Sequence, residues 1–410
     1  MERLLILSNV HVEPNSSAAG RRMLQLIRLF LEKGFEVTYA TTFGKSEFAI
    51  DLRSLGVDTA DVQVNDSSFD PWVRQLDPTI VLFDRFMVEE QFGWRVRQQC
   101  PEAVRILDTE DLHCLRYARQ AALEAGKEFH DDDLVRDIAF REVASILRSD
   151  LSLMISSVEM AILQRVFGVG DRLLQYLPFL EDDVNADDWI SFHDRKHFVT
   201  IGNFMHAPNF DGVFFLKQAI WPRIRESLPD AELHVYGAFA NQRVKELHDP
   251  KHGLIIQGRA ENASEVVGKA RVLLAPLRFG AGLKGKFIDA MHVGTPIITT
   301  SIGAEGMSVD GSWSGFVEDD EARIVRAAVS LYQNEEEWNR AQELGWSILR
   351  KNFDRNAHSL LFWNRWKHLR AELDGHRNRN FMGQMLWHHS LRSTEFMSKW
   401  IEAKNKKINP

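Results

Sequence analysis

The residues with the strongest claim on chemistry lie in 275–306, APLRFGAGLKGKFIDAMHVGTPIITTSIGAEG. A short apolar strand, Val272 to Ala275, closes at Pro276 and enters a turn carrying Gly280 and Gly282. A helix is expected from about Leu283, and the β-branched run PIITT returns as a strand. The glycines permit positive φ and close backbone approach, and the helix turns its unpaired amides and positive dipole end back on the turn. Such a turn suits an anion. Lys284 and Lys286 fall in the first helical turn, where a cation costs roughly 0.3–1 kcal/mol, so a negative guest would offset them. The plainer reading is two solvated lysines on a surface helix.

A second group follows the strand AVRILDTED: Asp108, Thr109, Glu110, Asp111, His113 and Arg116, the densest set of ionisable residues after any strand. In open parallel sheets ligands gather at the carboxyl ends of strands. Asp108, Glu110 and His113 placed there would hold an acceptor hydroxyl or take its proton. Alternatively Asp111 or Thr109 caps a helix over 112–125. A lesser cluster, Asp84, Arg85, Glu89 and Glu90, follows the strand TIVLFD. The first strand, RLLILS, runs into a loop whose small residues Ser16, Ser17, Ala18, Ala19 and Gly20 precede Arg21 and Arg22, where a helix prefers acids. Either that loop lines a cleft and meets phosphate or acceptor, or it is a capped helix with exposed arginines.

These groups need a scaffold, and the alternation of elements supplies one. Apolar runs at 3–8, 35–42, 60–64, 79–84, 103–108 and 151–157 alternate with helical spacings, among them Leu24, Ile27 and Leu31 and a helix from about 131 to 148. A second alternation begins at FVTIGN (198–203), continues through a long helix to Leu228 and the strands ELHVYGA, LIIQGR and RVLLAPL, and ends in helices at 320–333 and 335–351. Each half reads as a parallel α/β sheet wound on both faces. Between them LEDDVNADDWISFHDRKH is acidic and aperiodic, an interdomain linker. Its Asp182, Asp183, Asp187 and Asp188 lack the flanking geometry of a metal site, and no D-x-D pair stands at a strand end, which favours a metal-independent mechanism.

Composition sets the outer limits. The chain has 410 residues, 44% hydrophobic and 26% charged, enough for two domains with full cores. A formal charge of −8 argues against broad nucleic-acid binding. Cys100 and Cys114 carry neither metal spacing nor a disulfide framework and read as small buried hydrophobes in a reducing compartment. MERLLILSN enters a strand directly, without the pattern of a signal peptide, and no run approaches a membrane span, so a cytoplasmic location is expected.

The segment 275–306 resembles the donor-site segment of GT-B glycosyltransferases, family 4 above all, in which a strand ending in Pro and a small-residue turn precede a helix reading roughly EAMA-x-G-x-P-V. Asp289, Ala290, Met291, Gly294, Thr295 and Pro296 fall at matching places, and GAGLKGK is similar to a GAG-x-K-x-K variant of that family. The resemblance implies an α/β fold of two Rossmann-like domains facing across a cleft, with a C-terminal helix crossing back to the N-terminal domain. The implied division is 1–180, an acceptor-side domain; 181–196, a linker; 197–352, a nucleotide-sugar domain; and 353–410, the crossing helix and a basic tail. It implies a nucleoside-diphosphate sugar as donor substrate, no other cofactor, and a glycan, lipid-linked or other hydroxyl acceptor, with retention at the anomeric carbon. Of the family's paired glutamates, E-x(7)-E, Asp289 stands at the second, which touches the ribose, and Ala281 departs from the first, which touches the sugar. Gly202 and Asn203 take the place of a Gly-Arg pair that grips the pyrophosphate, so the charge falls to Lys284, Lys286 and Arg259 or Arg278, with Glu305 of GAEG (303–306) accepting a sugar hydroxyl. The loop holding Gly20 is similar to the one beside the donor phosphate.

The tail from Gly375 carries seven Lys/Arg against two Glu, with Trp387, Phe396, Met397, Trp400 and Ile401 at near-helical spacing. It reads as a helix on an anionic membrane, on a partner, or packed on its own domain. Two other functions stay open, a noncatalytic nucleotide-binding subunit of this fold, motivated by Ala281, and a UDP-sugar epimerase. A dehydrogenase is disfavoured because SNVHVEPNSSAAG lacks G-x-G-x-x-G.

Overall fold

The computed structural model describes residues 2–44, 46–183, 189–308 and 310–408, with side chains except at 390–392 and 406–408. Near-continuous apolar runs make strands buried on both faces, and such strands pair in parallel beneath helices. RLLILS is the type case: in β1 (Arg3–Ser8) all but the first residue are buried. Six more strands join it, β2 (Glu36–Thr41), β3 (Asp58–Asp61), β4 (Ile80–Asp84), β5 (Val104–Asp108), β6 (Leu151–Met154) and β7 (Leu174–Tyr176). Their order is β3-β2-β1-β4-β5-β6-β7. The second sheet comprises β8 (Lys196–Ile201), β9 (Leu233–Tyr236), β10 (Leu254–Gly258), β11 (Ala270–Ala275), β12 (Ile297–Thr299) and β13 (Gly315–Val317), ordered β10-β9-β8-β11-β12-β13.

Every strand pair is parallel. Leu4 pairs with Val37 on one side and Ile80 on the other, so the strand order reverses at β1. In the second sheet β8 lies between β9 and β11 and the order reverses there. Each reversal leaves a crevice at the carboxyl ends of the strands. The loops that open it are those after β1 and β4, and those after β8 and β11.

The chain returns to its first half through the helix Arg355–Ala371, whose Phe362, Trp363, Trp366 and Leu369 join Leu4, Ile6 and Phe30 in one core. Phe30 meets Trp363 edge-on at 5.2 Å and Phe35 stacks on it at 5.8 Å. The crossing is pinned where Glu181 N–H donates to Phe353 O and Arg355 N–H to Glu181 O.

Several local expectations need correction. The strand expected at 60–64 lies at Asp58–Asp61, and β13 was not anticipated, three residues being too few for an alternation. The helix expected from 131 starts at Asp137 after a 3-10 turn, Asp131–Leu134. The long helix of the second half is continuous only in outline, because a wider π turn, Leu216–Ile220, precedes Pro222, which has no N–H to give to an α-helical partner. Of the linker acids, Asp182 and Asp183 face Arg355 and Arg350 at 3.4 and 3.5 Å, and Asp187 and Asp188 lie outside the described residues. Both cysteines are buried and free.

Candidate functional site

A cleft of about 940 Å³ lies between the two sheets at the carboxyl edges of their strands. On the second side, the glycine turn needs its glycine: Gly282 has φ 63°, and a Cβ there would stand 2.9 Å from Asp111 Cβ across the cleft. The helix Gly285–His292 begins beneath it with no side-chain cap, and of its first amides Phe287 N–H goes to Lys284 O at 2.9 Å. Lys284 occupies the cap position, not the first turn as expected, and Lys286 is within that turn. Lys284 donates to Gly282 O (2.7 Å), Lys286 to Asn209 Oδ1 (2.7 Å). Burial depresses both lysines: Lys284 to about 8, with Glu305 and Glu159 opposing, and Lys286 to about 7, with Lys284 adding to the effect.

Gly202, Asn203, Arg259, Gly280, Gly282, Lys284, Lys286 and Asp289 all line this cleft. Arg259 lies 4.2 Å over the Phe48 ring and reaches Ser16 Oγ at 3.4 Å. Asp289 Oδ1 accepts from Arg21, which also pairs with Glu181 at 2.6 Å. Burial pushes the Asp289 carboxyl up, against the pull of Arg21. Arg278, the other cation considered for the phosphates, pairs with Asp211 instead (3.0 Å from Nε).

On the first side, Glu110 and His113 line the cleft with Asp111, Arg116 and Arg85. Arg85 and Glu110, one residue beyond β4 and two beyond β5, sit at φ 72° and 62°. Left-handed backbone at a residue other than glycine costs roughly 1–2 kcal/mol, strain that gathers at functional sites. Burial, then the Asp108 and Asp84 carboxylates, raise the Glu110 pKa well above the carboxylate range. Burial lowers His113 to about 4, keeping a neutral imidazole 3.4 Å from Asp111 Oδ1. Asp111 itself is ion-paired with Arg116 at 2.7 Å.

Three expected site residues do other work. Asp108 is fully buried and chelated by Arg22, whose Nε stands 2.9 and 3.0 Å from its two oxygens and whose Nη2 reaches Oδ1 at 2.7 Å, so it is closed to a substrate. Gly20 is buried under the chain at Glu13, where a Cβ would come within 2.5 Å of backbone; it shapes the loop without lining the cleft. Glu305 has both oxygens on Arg119, at 2.7 and 2.8 Å, and stands off the cleft wall. The expected caps are also displaced. The amides of Leu112, His113 and Cys114 go to distant carboxylates, Leu112 N–H to Glu159 Oε1 (3.0 Å) and the other two to Glu142 (2.9 Å each). Glu159 Oε1 also accepts Gly282 N–H at 2.7 Å, so one carboxylate holds a loop of each half. Burial raises Glu142 to about 7 and Glu159 to about 8.

Sequence reasoning missed His206, a cleft residue whose pKa burial lowers to about 4, and Arg119, the partner of Glu305 and of Gly280 O. His206 was findable: it follows β8 at the reversal of strand order. Among the described residues one trio has ligand atoms close enough for a metal, His197, Glu232 and His234, within 4.8 Å of one another at the amino ends of β8 and β9, the edge away from the cleft. There His197 Nδ1 already accepts Glu232 N–H at 3.2 Å, which leaves the proton on the nitrogen that would have to ligate.

Residues 195–334 match the family model for glycosyl transferases group 1. That stretch spans the second sheet, from β8 to β13, and the helix Glu321–Gln333 after it. The fold of the whole chain is GT-B, and the likeness to solved structures runs nearly end to end. Sucrose-phosphate synthase from Thermosynechococcus elongatus superposes with TM-score 0.69 at 16% identity, over 90% of this chain and 100% of that one. The Anabaena protein Alr3699/HepE, solved with UDP and glucose, gives 0.65 at 12% identity over the same shares. Among curated proteins, an uncharacterized 44.6 kDa protein in the cps region of Klebsiella pneumoniae is 23% identical over 161 residues, a match spanning 38% of this chain and 42% of that relative. The glycine turn, Lys284, Lys286 and Asp289 all fall within the matched residues, whereas Glu110 and His113 come from the half outside them.

Proposed function

We propose that this chain is a glycosyltransferase that moves a sugar from a nucleoside-diphosphate donor to the hydroxyl of a glycan or lipid-linked acceptor. The observation that carries the reading is the convergence of Lys284, Lys286 and Arg259 on one cleft wall beside the uncapped start of the helix Gly285–His292. As the bond to the sugar breaks, charge builds on the β-phosphate, and cations with fixed helix amides receive it. The second half, 197–352, holds the donor, with Asp289 at the ribose; the first, 1–180, presents the acceptor to Glu110 and His113. Retention at the anomeric carbon and independence from metal ions belong to the same reading, as do a cytoplasmic site of action and peripheral contact with the inner membrane face. A noncatalytic nucleotide-binding subunit is the second reading, favoured by Ala281, which puts a methyl group on the cleft wall where the resemblance expects a carboxylate.

A thermal-shift screen of UDP, GDP, ADP and TDP, with and without their sugars, tests the donor site. A ligand at about 100 times its dissociation constant adds roughly 2.7 kcal/mol to the native state. A selective shift supports the site and names the donor series; no shift with any diphosphate ends this reading. Turnover of that donor against a hydroxyl acceptor then separates the enzyme from the noncatalytic subunit.

Lys286→Ala is expected to weaken diphosphate binding about 10- to 100-fold with the fold intact, the loss of one charge-assisted contact. Unchanged affinity by calorimetry would remove Lys286 from the phosphate site. The pH dependence has a definite sign. A bound diphosphate favours charged Lys286, which titrates near about 7 in the empty cleft, so affinity falls as pH rises past that value. The empty protein moves the other way. The depressed lysine costs stability below about 7, and the cost is relieved as pH rises from there toward the ordinary 10.5. Urea unfolding and UDP titration over that range, on wild type and the variant, should show the opposed slopes in wild type and their flattening in Lys286→Ala.

A further inference from the structure

The C-terminal helix, Phe381–Ile408, is bound to the first half by one face only. Trp387 is buried beside Trp94 and donates its indole N–H to Arg148 O at 3.0 Å, and Ser398 is buried along the same side. The helix's other face carries Phe381, Met382, Met385, Phe396, Met397 and Trp400, all exposed, Phe396 at 65% and Trp400 at 60%. At helical spacing these six fall within one arc of under half the circumference, opposite Trp387 and Ser398. A helix that merely finishes its own domain turns polar residues outward, and a large exposed apolar stripe marks a surface that something covers.

Charge decides what. Between 381 and 408 the helix has five Lys/Arg against two Glu, on a chain of formal charge −8. Lys399 and Lys404 are both exposed; Lys399 pairs with Glu395 at 2.6 Å, and Lys404 Nζ lies 5.3 Å from the Trp400 ring. A second copy would set two cationic helices against each other, whereas an anionic lipid surface complements the lysines and takes the aromatic and methionine side chains at headgroup depth. Among the described residues no helix is long and apolar enough to cross a membrane, so this one would lie in the plane.

We propose that the outer face of Phe381–Ile408 docks on an anionic lipid bilayer. The last turns reach the carboxyl edge of the first sheet: Glu402 accepts from Ser67 Oγ at 2.6 Å, in the loop that follows β3. A docked molecule therefore turns this carboxyl edge of the first sheet, the edge after which Glu110 also lies, toward the membrane from which a lipid-linked acceptor would arrive. This deepens the membrane part of the reading above and rests on it; vesicle binding is measured without donor or acceptor, so its failure leaves the nucleotide site untouched.

The test is co-sedimentation of the full chain with phosphatidylcholine vesicles, with and without phosphatidylglycerol, for wild type, for Phe396→Ser with Met397→Ser and Trp400→Ser, and for Lys399→Glu with Lys404→Glu. Circular dichroism and the unfolding midpoint check that both variants keep the fold. Wild type should pellet with the anionic vesicles only, and the triple apolar variant should bind about tenfold more weakly or worse. The double lysine variant should lose the preference for anionic lipid. Wild type remaining in the supernatant, or the triple variant pelleting equally well, would overturn the proposal. So would a lipid-free dimer that the triple variant dissociates, since it would assign the face to a second copy.

Discussion

Glu110→Gln is expected to lower the turnover number by about 10²–10⁴ while leaving donor affinity where it was, the range for removing a positioned general base. Three observations converge on this residue. It lines the cleft on the side opposite the lysines, its backbone is held in the left-handed region that a glutamate does not choose freely, and its carboxyl is pushed well above the ordinary range by burial with Asp108 and Asp84 close by. A raised pKa makes a stronger base once the proton is lost, so turnover should rise as pH climbs through it. His113→Ala should lower turnover less, because its imidazole is neutral and already oriented toward Asp111. Nucleoside diphosphate release, read with the donor that the thermal screen selects, measures both. If Glu110→Gln turns over at the wild-type rate with wild-type affinity, the chemistry lies elsewhere in the cleft.

Asp108→Ala, two residues away, should fail for a different reason. Removing one partner of a fully buried ion pair leaves the other charge without compensation and costs about 3–5 kcal/mol. Arg22 is 1% exposed, and among the described residues it has, besides Asp108, the Leu177 and Pro178 carbonyls, at 2.6 and 3.4 Å, to meet its donors. The urea midpoint should drop accordingly, and Arg22→Met combined with Asp108→Leu should recover most of the loss, since an apolar pair of similar volume asks for no hydrogen bonds. Lost turnover with an unmoved midpoint would return Asp108 to the active site.

The contrast between these two acids shows how far the sequence could be read. Burial runs such as RLLILS and the strand–helix alternation were legible because both follow from local periodicity, and the cleft's place followed from the rule for parallel sheets. Of the cluster after β5, Glu110, Asp111, His113 and Arg116 line the cleft. Within that cluster, alternation held a clue to Asp108: Val104 and Ile106 face the core layer that also holds the helix Ala18–Leu31, and Asp108 continues their parity toward Arg22. Glu110 escapes that parity because the backbone turns left-handed at it. The caps could not have been found this way, since Glu142 and Glu159 lie 28 or more residues from the amides they accept, beyond any local rule. Glu305 was misassigned for the same kind of reason. Its partner Arg119 is 186 positions away, and a free acid in a post-strand turn looks the same as a paired one.

Glu159 and Arg119 together tie the glycine turn to the opposite half. Glu159 holds Gly282 N–H, and Arg119, besides Glu305, holds Gly280 O at 3.0 Å, so the donor-side turn is clasped at both its amide and its carbonyl by the opposite half. Drawing the halves apart breaks both contacts at once, leaving the Glu159 carboxylate to ionise in water or stay protonated, and freeing the turn to change shape. Any widening of the cleft mouth would thereby be tied to the conformation of a three-residue turn. The exchange rate of the Gly282 amide with solvent deuterium, with and without bound diphosphate, would count those openings one by one.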